Sequence, residues 1–592
     1  MRSPEHKGAG ARLSAFGVVI LLLFGLLAGR LWQLQVLQGS NYQRLSEENR
    51  LRDLRLRAPR GIIYDRKRRP LASNRPAFTI SVLPMELRDQ KNVLPRLAGI
   101  LQIPEGEIRD RLSEARGRPF EPVRIRRDAP KAIVAMIEEN RLDLRGVIVE
   151  VEPVRFYPEG TLAAHTLGYV SEISRSELGL RVWKGYRIGD VIGKVGIERF
   201  YDRTLRGRDG RVRVEVDARG RPLRILARDP SDPGRSAVLT IDRDIQRAAE
   251  EALGDRVGAL VALDPRNGEI LAIASHPAFD PNLFAAGISA RKWAGLMGDP
   301  ARPLLNRAVD SAYEPGSVFK VVTAAAALTQ RTATRETRVH CPGFFRLGRS
   351  IFRDLKAYGT VDFVTGVAVS CNAFFWTLGL RTGPEALSQM ARALGLGEPT
   401  GIDLPSESPG FIPSMNWKRR TLGEAWYPGD TLNMAIGQGW VQTTTLQIAR
   451  MVAAVGNGGT LVHPHLVREV LDTDGRVVEQ VTAPPNGRVD FPPDALATLR
   501  DALEAVVLRG TGRRAAIPGL TIAGKTGSAE NPHGQPHAWF AAYAPAEQPR
   551  IAVAVLVEHG RRGGLVAAPI ARAVLQVALQ IPPSPEAGAP PR

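Results

Sequence analysis

YEPGSVFKVVTAAAALTQ, from Tyr313 to Gln330, is the segment from which the rest of the chain can be read. Pro315 and Gly316 predict a turn, Ser317 opens a helix, and the alanine-rich run after Lys320 favours continuing it. The i, i+3 spacing puts the Ser317 hydroxyl and the Lys320 amine on one helix face. A serine so placed sits at a helix N-terminus, where free N–H groups and the dipole favour developing negative charge. Two later strings supply what a serine nucleophile needs. S-C-N at Ser370 to Asn372 adds a second hydroxyl and an amide, and K-T-G-S at Lys525 to Ser528 reads as a strand able to hold a substrate carboxylate. In this order the three strings point to acyl transfer.

The chain carries its own controls. SARK (Ser289 to Lys292) is also S-x-x-K and SMN (Ser414 to Asn416) is also S-x-N, yet neither has the other motifs around it. The ordinary reading of such isolated strings is a helix cap or a solvated helix face. Only 11 of the 80 basic residues are lysine, so composition does not account for lysines at both Lys320 and Lys525.

A chain of 592 residues is too long for one core and predicts two or three domains. A net charge of +19 suits an anionic partner: nucleic acid, phospholipid head groups or a diphosphate-linked substrate. Nucleic acid is excluded, because aromatics are only 6% and neither a basic low-complexity tail nor a zinc-finger or RNA-recognition motif is present. Membrane proximity explains the charge more simply. Ala15 to Gly29 is an uncharged apolar run that extends to a span from Leu13 to Trp32, long enough to cross a bilayer. No A-x-A-like cleavage site follows it, and Arg2, Lys7 and Arg12 favour an inside N-terminus. The expectation is an uncleaved single-pass anchor with the bulk of the chain outside the cytoplasmic membrane.

After the anchor, the segment from Leu31 to Gly61 mixes helical periodicity with arginines and reads as a membrane-facing stalk or a solvated helix. Short strands (AFTISVLP, RVRVEVD) and polar helices such as Val93 to Ala115 follow. From Ser236, SAVLTID predicts a strand and DRDIQRAAEEALGD a helix capped by Asp242 or Asp244. GALVALD and GEILAIAS predict a hairpin, helices fill the middle, and HAWFAAYAPAEQPRIAVAVLVE predicts two more apolar strands before a closing helix. The sum is an α+β fold, an antiparallel sheet with helices on its faces. The expected boundaries are a cytoplasmic tail at 1–12, the anchor at 13–33, a non-catalytic pedestal at 34–235, the catalytic domain at 236–580 and a disordered proline-rich tail at 581–592.

The three motifs together resemble the signature of the penicillin-binding and serine β-lactamase superfamily. PRGIIYDRKRRPLASNRPAF (Pro59 to Phe78), AHTLGYV (Ala164 to Val170), IGKVGIERFYDRTLRGRDG (Ile192 to Gly210) and GALVALDPRNGEILAIAS (Gly258 to Ser275) resemble class B penicillin-binding proteins. NWKRRTLGEAWYPGDTLNMAIGQG (Asn416 to Gly439) and HAWFAAYAP (His537 to Pro545) are closest to the elongation-type members. The resemblance implies an elongated, dimerisation-like pedestal beside a β-lactamase-like domain that cross-links peptidoglycan stem peptides and is acylated by β-lactams. It implies catalytic roles for Ser317, Lys320, Ser370 and Asn372, substrate binding by Lys525, Thr526, Gly527 and Ser528, and an oxyanion hole from the backbone N–H groups of Ser317 and Ser528. It further implies a membrane glycan polymerase of the SEDS family and elongation-complex scaffold proteins as partners, and no cofactor. A division-specific transpeptidase and a β-lactam receptor are the alternatives.

Some elongation-type relatives carry zinc near the second motif. Cys371, Asp354 and Cys341 or His340 are the residues that could ligate it, but the expected G-H-G is Tyr358, Gly359 and Thr360, so no metal is assigned. Cys341 and Cys371 read equally as a disulfide or as free thiols.

Overall fold

A computed structural model describes residues 6–40, 42, 51–87, 90–114, 122–216 and 222–582. The expected tail at 581–592 therefore falls, beyond its first two residues, outside the described residues, as does the start of the tail at 1–12. The chain divides into two compact units that interleave along the sequence. One comprises 1–58, 76–152 and 208–232, and the other 59–75, 153–207 and 233–592.

In the first unit the helix His6–Trp32 runs into a π-helical turn at Gln33–Leu37, and its apolar side chains, among them Leu21, Phe24 and Leu26, are exposed. A helix with this much uncovered apolar surface fits a single-pass membrane anchor. Leu51–Leu56, expected as part of a helical stalk, is instead a strand paired with Gly210–Val216, which pairs in turn with Pro222–Asp229. The cross-strand partner decides this: Asp53 faces Arg213 and accepts from its guanidinium at 2.8 and 3.1 Å. The single helix expected over Val93 to Ala115 is two, Gln90–Leu101 and Glu105–Glu114, because Gln102 adopts a left-handed φ of 55° and Pro104 cannot continue the ladder. These helices pack Leu94, Leu97 and Ile108 against Ile80 and Ile125.

The second unit is built on an antiparallel five-stranded sheet. Its strands are β1 (Gly258–Leu263), β2 (Ile270–His276), β3 (Ala523–Ala529), β4 (His537–Ala544) and β5 (Ile551–Val557), in the spatial order β2-β1-β5-β4-β3. Every residue of β5 is buried, and alternate residues serve opposite layers. Val553, Val555 and Val557 face the helices Arg243–Leu253 and Ala567–Ala578, whereas Ala552, Ala554 and Leu556 face the layer holding Lys320–Thr329, Asn372–Thr382 and Thr445–Gly456. The expected hairpin is β1–β2, and Asp242 caps the helix after the strand Ser236–Leu239 by accepting from Asp244 N–H. That strand joins a separate sheet, parallel to Ile63–Tyr64 and antiparallel to Val467–Leu471.

Distant pieces of this unit are tied together by a buried ion cluster. Glu198 accepts from Arg60 Nε and Arg155 Nε, both at 2.5 Å, and from Tyr157 Oη at 3.2 Å, while Arg60 also pairs with Asp202 at 2.8 Å. Each arginine offers a rigid fork of donors, so one carboxylate holds three chain segments in register.

Candidate active site

Ser317 lies in a 3₁₀ turn, Gly316–Phe319, and the α-helix proper begins at Lys320. The helix thus starts one turn later than the sequence predicts, because the turn must bend sharply at Gly316, whose φ is +52°. A Cβ at Gly316 would lie 2.6 Å from the Ser528 carbonyl oxygen, and one at Gly527 would lie 2.9 Å from the Pro315 oxygen. Only glycines permit this approach of the serine turn to β3. The turn is clasped on its other side, where Gly316 N–H donates to Gly437 O at 3.0 Å, and Trp539 Nε1 donates to Glu314 O at 3.0 Å.

The second motif packs against the first through Lys320. Its Nζ donates to Asn372 Oδ1 at 2.6 Å, to the Ser370 carbonyl at 2.8 Å and to Ser370 Oγ at 3.2 Å. Ser370 is held at φ +59°, an uncommon conformation for serine that aims its hydroxyl between two amines. The second amine is Lys525 Nζ, which reaches Ser370 Oγ at 2.8 Å and the Thr526 carbonyl at 3.1 Å. Lys320 and Lys525 are both buried, whereas Ser528 is exposed on β3. Thr526 shares a 2.6 Å hydroxyl contact with Thr511. Lys320, Ser370, Asn372 and Lys525 thus form one hydrogen-bonded cluster, and the glycine approaches bring the turn that carries Ser317 against the strand that carries Thr526, Gly527 and Ser528. The Ser317 hydroxyl itself has no hydrogen bond to Lys320 among those described; the two residues stand three apart, across the passage from the 3₁₀ turn into the helix.

Burial lowers Lys320 to about 8, with Asp354 and Cys371 pulling the other way. Lys525 is driven well below the ordinary lysine range by burial and by the charge of Lys320. Taking amines out of water disfavours their charged forms, and two cations on one hydroxyl disfavour them further. An amine lowered to about 8 is neutral in an appreciable fraction near physiological pH, and that fraction is able to act as a base toward a serine.

The two decoy strings take their ordinary roles. Ser289 caps the helix Ala290–Gly298 by accepting from Lys292 N–H, and Ser414 caps Met415–Leu422 by accepting from Trp417 N–H. Cys341 and Cys371 are free, buried thiols, and Cys371 caps the helix Asn372–Thr382. Asp354 Oδ2 is occupied by Ala373 N–H at 3.0 Å and the His340 ring contacts Thr360 Oγ1 at 3.3 Å. Among the described residues no group of three or more such side chains is arranged to hold a metal ion.

Sequence reasoning assigned no role to Glu314 and Gln438. With its amide turned so that both ends are satisfied, Gln438 donates its nitrogen to Glu314 Oε2 at 2.8 Å and accepts at its oxygen from Glu530 N–H at 3.0 Å. Burial pushes Glu314 up to about 7, Gly439 N–H pulls it down, and the charge of Glu530 adds to the rise. A carboxylate three residues before the serine was the available signal.

The comparisons with known proteins agree with this geometry. Residues 258–576 match the penicillin binding protein transpeptidase domain and 55–239 the penicillin-binding protein dimerisation domain. The peptidoglycan D,D-transpeptidase MrdA of Acinetobacter baumannii is 36% identical, over 93% of this chain and 85% of that protein. The Helicobacter pylori penicillin-binding protein PBP2 in complex with MreC superposes with a TM-score of 0.78 at 28% identity, covering 90% of this chain and 99% of that one. A peptidoglycan synthase complex coordinating polymerization and crosslinking contains a chain with a TM-score of 0.72 at 33% identity, covering 97% of this chain and 99% of that one. With its fold, its paired domain matches and its full-length relatives in accord, the chain belongs to the class B penicillin-binding proteins of the elongation type, the penicillin-binding protein 2 peptidoglycan D,D-transpeptidases.

Proposed function

We propose that Ser317 is the nucleophile of this transpeptidase and that Lys320 is its base. The Ser317 hydroxyl attacks the carbonyl of the penultimate D-alanine of a stem peptide while its proton passes to Lys320. Ser370 carries a proton to the departing D-alanine amine, and Asn372 orients Lys320 and holds the substrate amide. Lys525, Thr526 and Ser528 receive the terminal carboxylate, with Gly527 allowing close backbone approach. Backbone N–H groups of Ser317 and Ser528 stabilise the oxyanion, a contribution of about 100- to 1,000-fold per donor. An amine from a neighbouring stem then displaces Ser317 and closes the cross-link. The observation that carries this reading is the convergence of Lys320 and Lys525 on Ser370 Oγ next to the serine turn.

The anchor helix supports a single pass through the cytoplasmic membrane, with the catalytic part on the outer face. Residues 34–235 serve as a non-catalytic pedestal and 236–580 as the transpeptidase domain. Because similar proteins occur with MreC and in a synthase complex, the partners of this chain are a scaffold of that kind and a SEDS-type membrane glycan polymerase. Labelling with a fluorescent penicillin tests the assignment. Ser317→Ala abolishes the label, and a label that persists on that variant places the nucleophile elsewhere.

A further inference from the structure

The serine turn carries a carboxylate that the donor half of the reaction does not use. Glu314 is fixed at both ends: its carbonyl accepts from Trp539 Nε1 at 3.0 Å, and its Oε2 accepts from the Gln438 amide at 2.8 Å. Gly316, two residues on, donates to Gly437 O at 3.0 Å, so Glu314 and Ser317 are clasped by the same 437–439 segment. No cation is among the groups that act on the Glu314 carboxyl, and the charged one is Glu530. The two cations of the cleft are engaged elsewhere, Lys320 with Ser370 and Asn372 and Lys525 with Ser370 and Thr526. A half-buried carboxyl with no cation beside it holds its proton more tightly and becomes the stronger anion when a positive group arrives.

Transpeptidation brings such a group. The acceptor is an amine, and a primary amine is an ammonium at neutral pH. It cannot attack until one proton has left.

We propose that Glu314 is the acceptor-binding residue of this enzyme, receiving the ammonium of the incoming stem peptide and taking its first proton. This deepens the transpeptidase reading and rests on it. The carboxylate accepts one proton from the ammonium, and the freed amine lone pair forms a C–N bond to the acyl carbon. The Ser317 Oγ–C bond breaks, the second amine proton passes to Ser317 Oγ, and Glu314 returns its proton to solvent. A carboxylate held near 7 suits this exchange, because a base is most effective when its affinity for protons matches the working pH. The ionisable groups on the surrounding elements are Glu530 at the end of β3, Lys525 within it, and His537 and Glu558 on β4 and after β5. Tyr313 Oη donates to Glu558 at 2.7 Å and Arg307 Nε to the same oxygen at 2.8 Å, so that carboxylate is already occupied. The 437–439 segment carries none.

The full-length protein in detergent, given an N-acyl-D-alanyl thioester donor, partitions its acyl-enzyme between water and Nα-acetyl-lysine amide as the amine. Glu314→Gln lowers aminolysis at pH 7 by about tenfold or more and raises the apparent KM for the amine, while hydrolysis of the same acyl-enzyme falls much less. The wild-type ratio of aminolysis to hydrolysis falls as pH drops below about 7 and levels above it, an inflection that Glu314→Gln loses, keeping only the slope of the amine's own ionisation, and that Glu314→Asp partly restores. Glu530→Gln moves that inflection to lower pH, since removing a neighbouring negative charge lets Glu314 ionise more readily. This variant alters an exposed side chain and so decides the matter even where Glu314→Gln does not fold. An unchanged partition ratio, equal losses of aminolysis and hydrolysis, or an inflection that Glu530→Gln leaves in place overturns the proposal. A wild-type protein that forms no acyl-enzyme overturns the transpeptidase reading instead.

Discussion

Lys320 and Lys525 present their Nζ atoms to one oxygen, Ser370 Oγ, at 3.2 and 2.8 Å. Two buried ammonium groups so close repel strongly, and the pair sheds a proton far more readily than an exposed lysine does.

A pH profile follows from this. The base form is the neutral amine, so acidification removes it. The second-order rate of acylation by a β-lactam rises with pH and reaches half its plateau near about 8, where burial places Lys320. Stopped-flow or gel-based acylation across the neutral and mildly alkaline range measures it. A limb at the ordinary lysine value of roughly 10.4 contradicts a buried base.

Asn372→Asp tests the 2.6 Å contact to Lys320. A carboxylate there favours the ammonium, so the acid limb of acylation moves to higher pH. The rate at neutral pH falls with it, about tenfold for every pH unit the limb travels. Asn372→Ala lowers the rate without moving the limb upward. The two variants compared over one pH series separate the charge effect from the loss of a hydrogen bond.

Ser370→Ala removes the oxygen that both amines share. The two amines then lose a common partner inside a buried site, and acylation falls on the order of 100-fold. Circular dichroism and thermal melting should match wild type to within a few degrees, because a small side chain is traded for a smaller one.

The motif residues were legible because each motif is a local string: Ser317 and Lys320 share a turn, and Lys525 to Ser528 share a strand. β5 was equally legible, since an uninterrupted apolar run of strand length reports burial on both faces. What depends on remote partners was not. Leu51–Leu56 has a composition that suits a helix, and only Gly210–Val216 makes it a strand. Ile63–Tyr64 lies in the expected pedestal segment yet pairs with Ser236–Leu239, a register no local pattern carries. Glu314 stood in the quoted string, but its significance lies in Gln438 and Glu530, which the fold alone brings beside it.

Glu198 offers a stability test away from the cleft. Its replacement by alanine leaves Arg60 and Arg155 buried without their shared carboxylate, at a cost of roughly 3 to 5 kcal/mol. Thermal or chaotrope denaturation of the detergent-solubilised protein reads it. A loss under about 1 kcal/mol indicates that water replaces the carboxylate and that the cluster does not hold the segments 59–61, 155–157 and 198–202 together.

The most direct measurement is the location of the covalent adduct. After reaction with a penicillin, proteolysis and mass spectrometry find the added mass on the peptide containing Ser317, and Ser317→Ala carries none at any site. An adduct on Ser289, Ser370 or Ser528, or one retained by the alanine variant, contradicts the account.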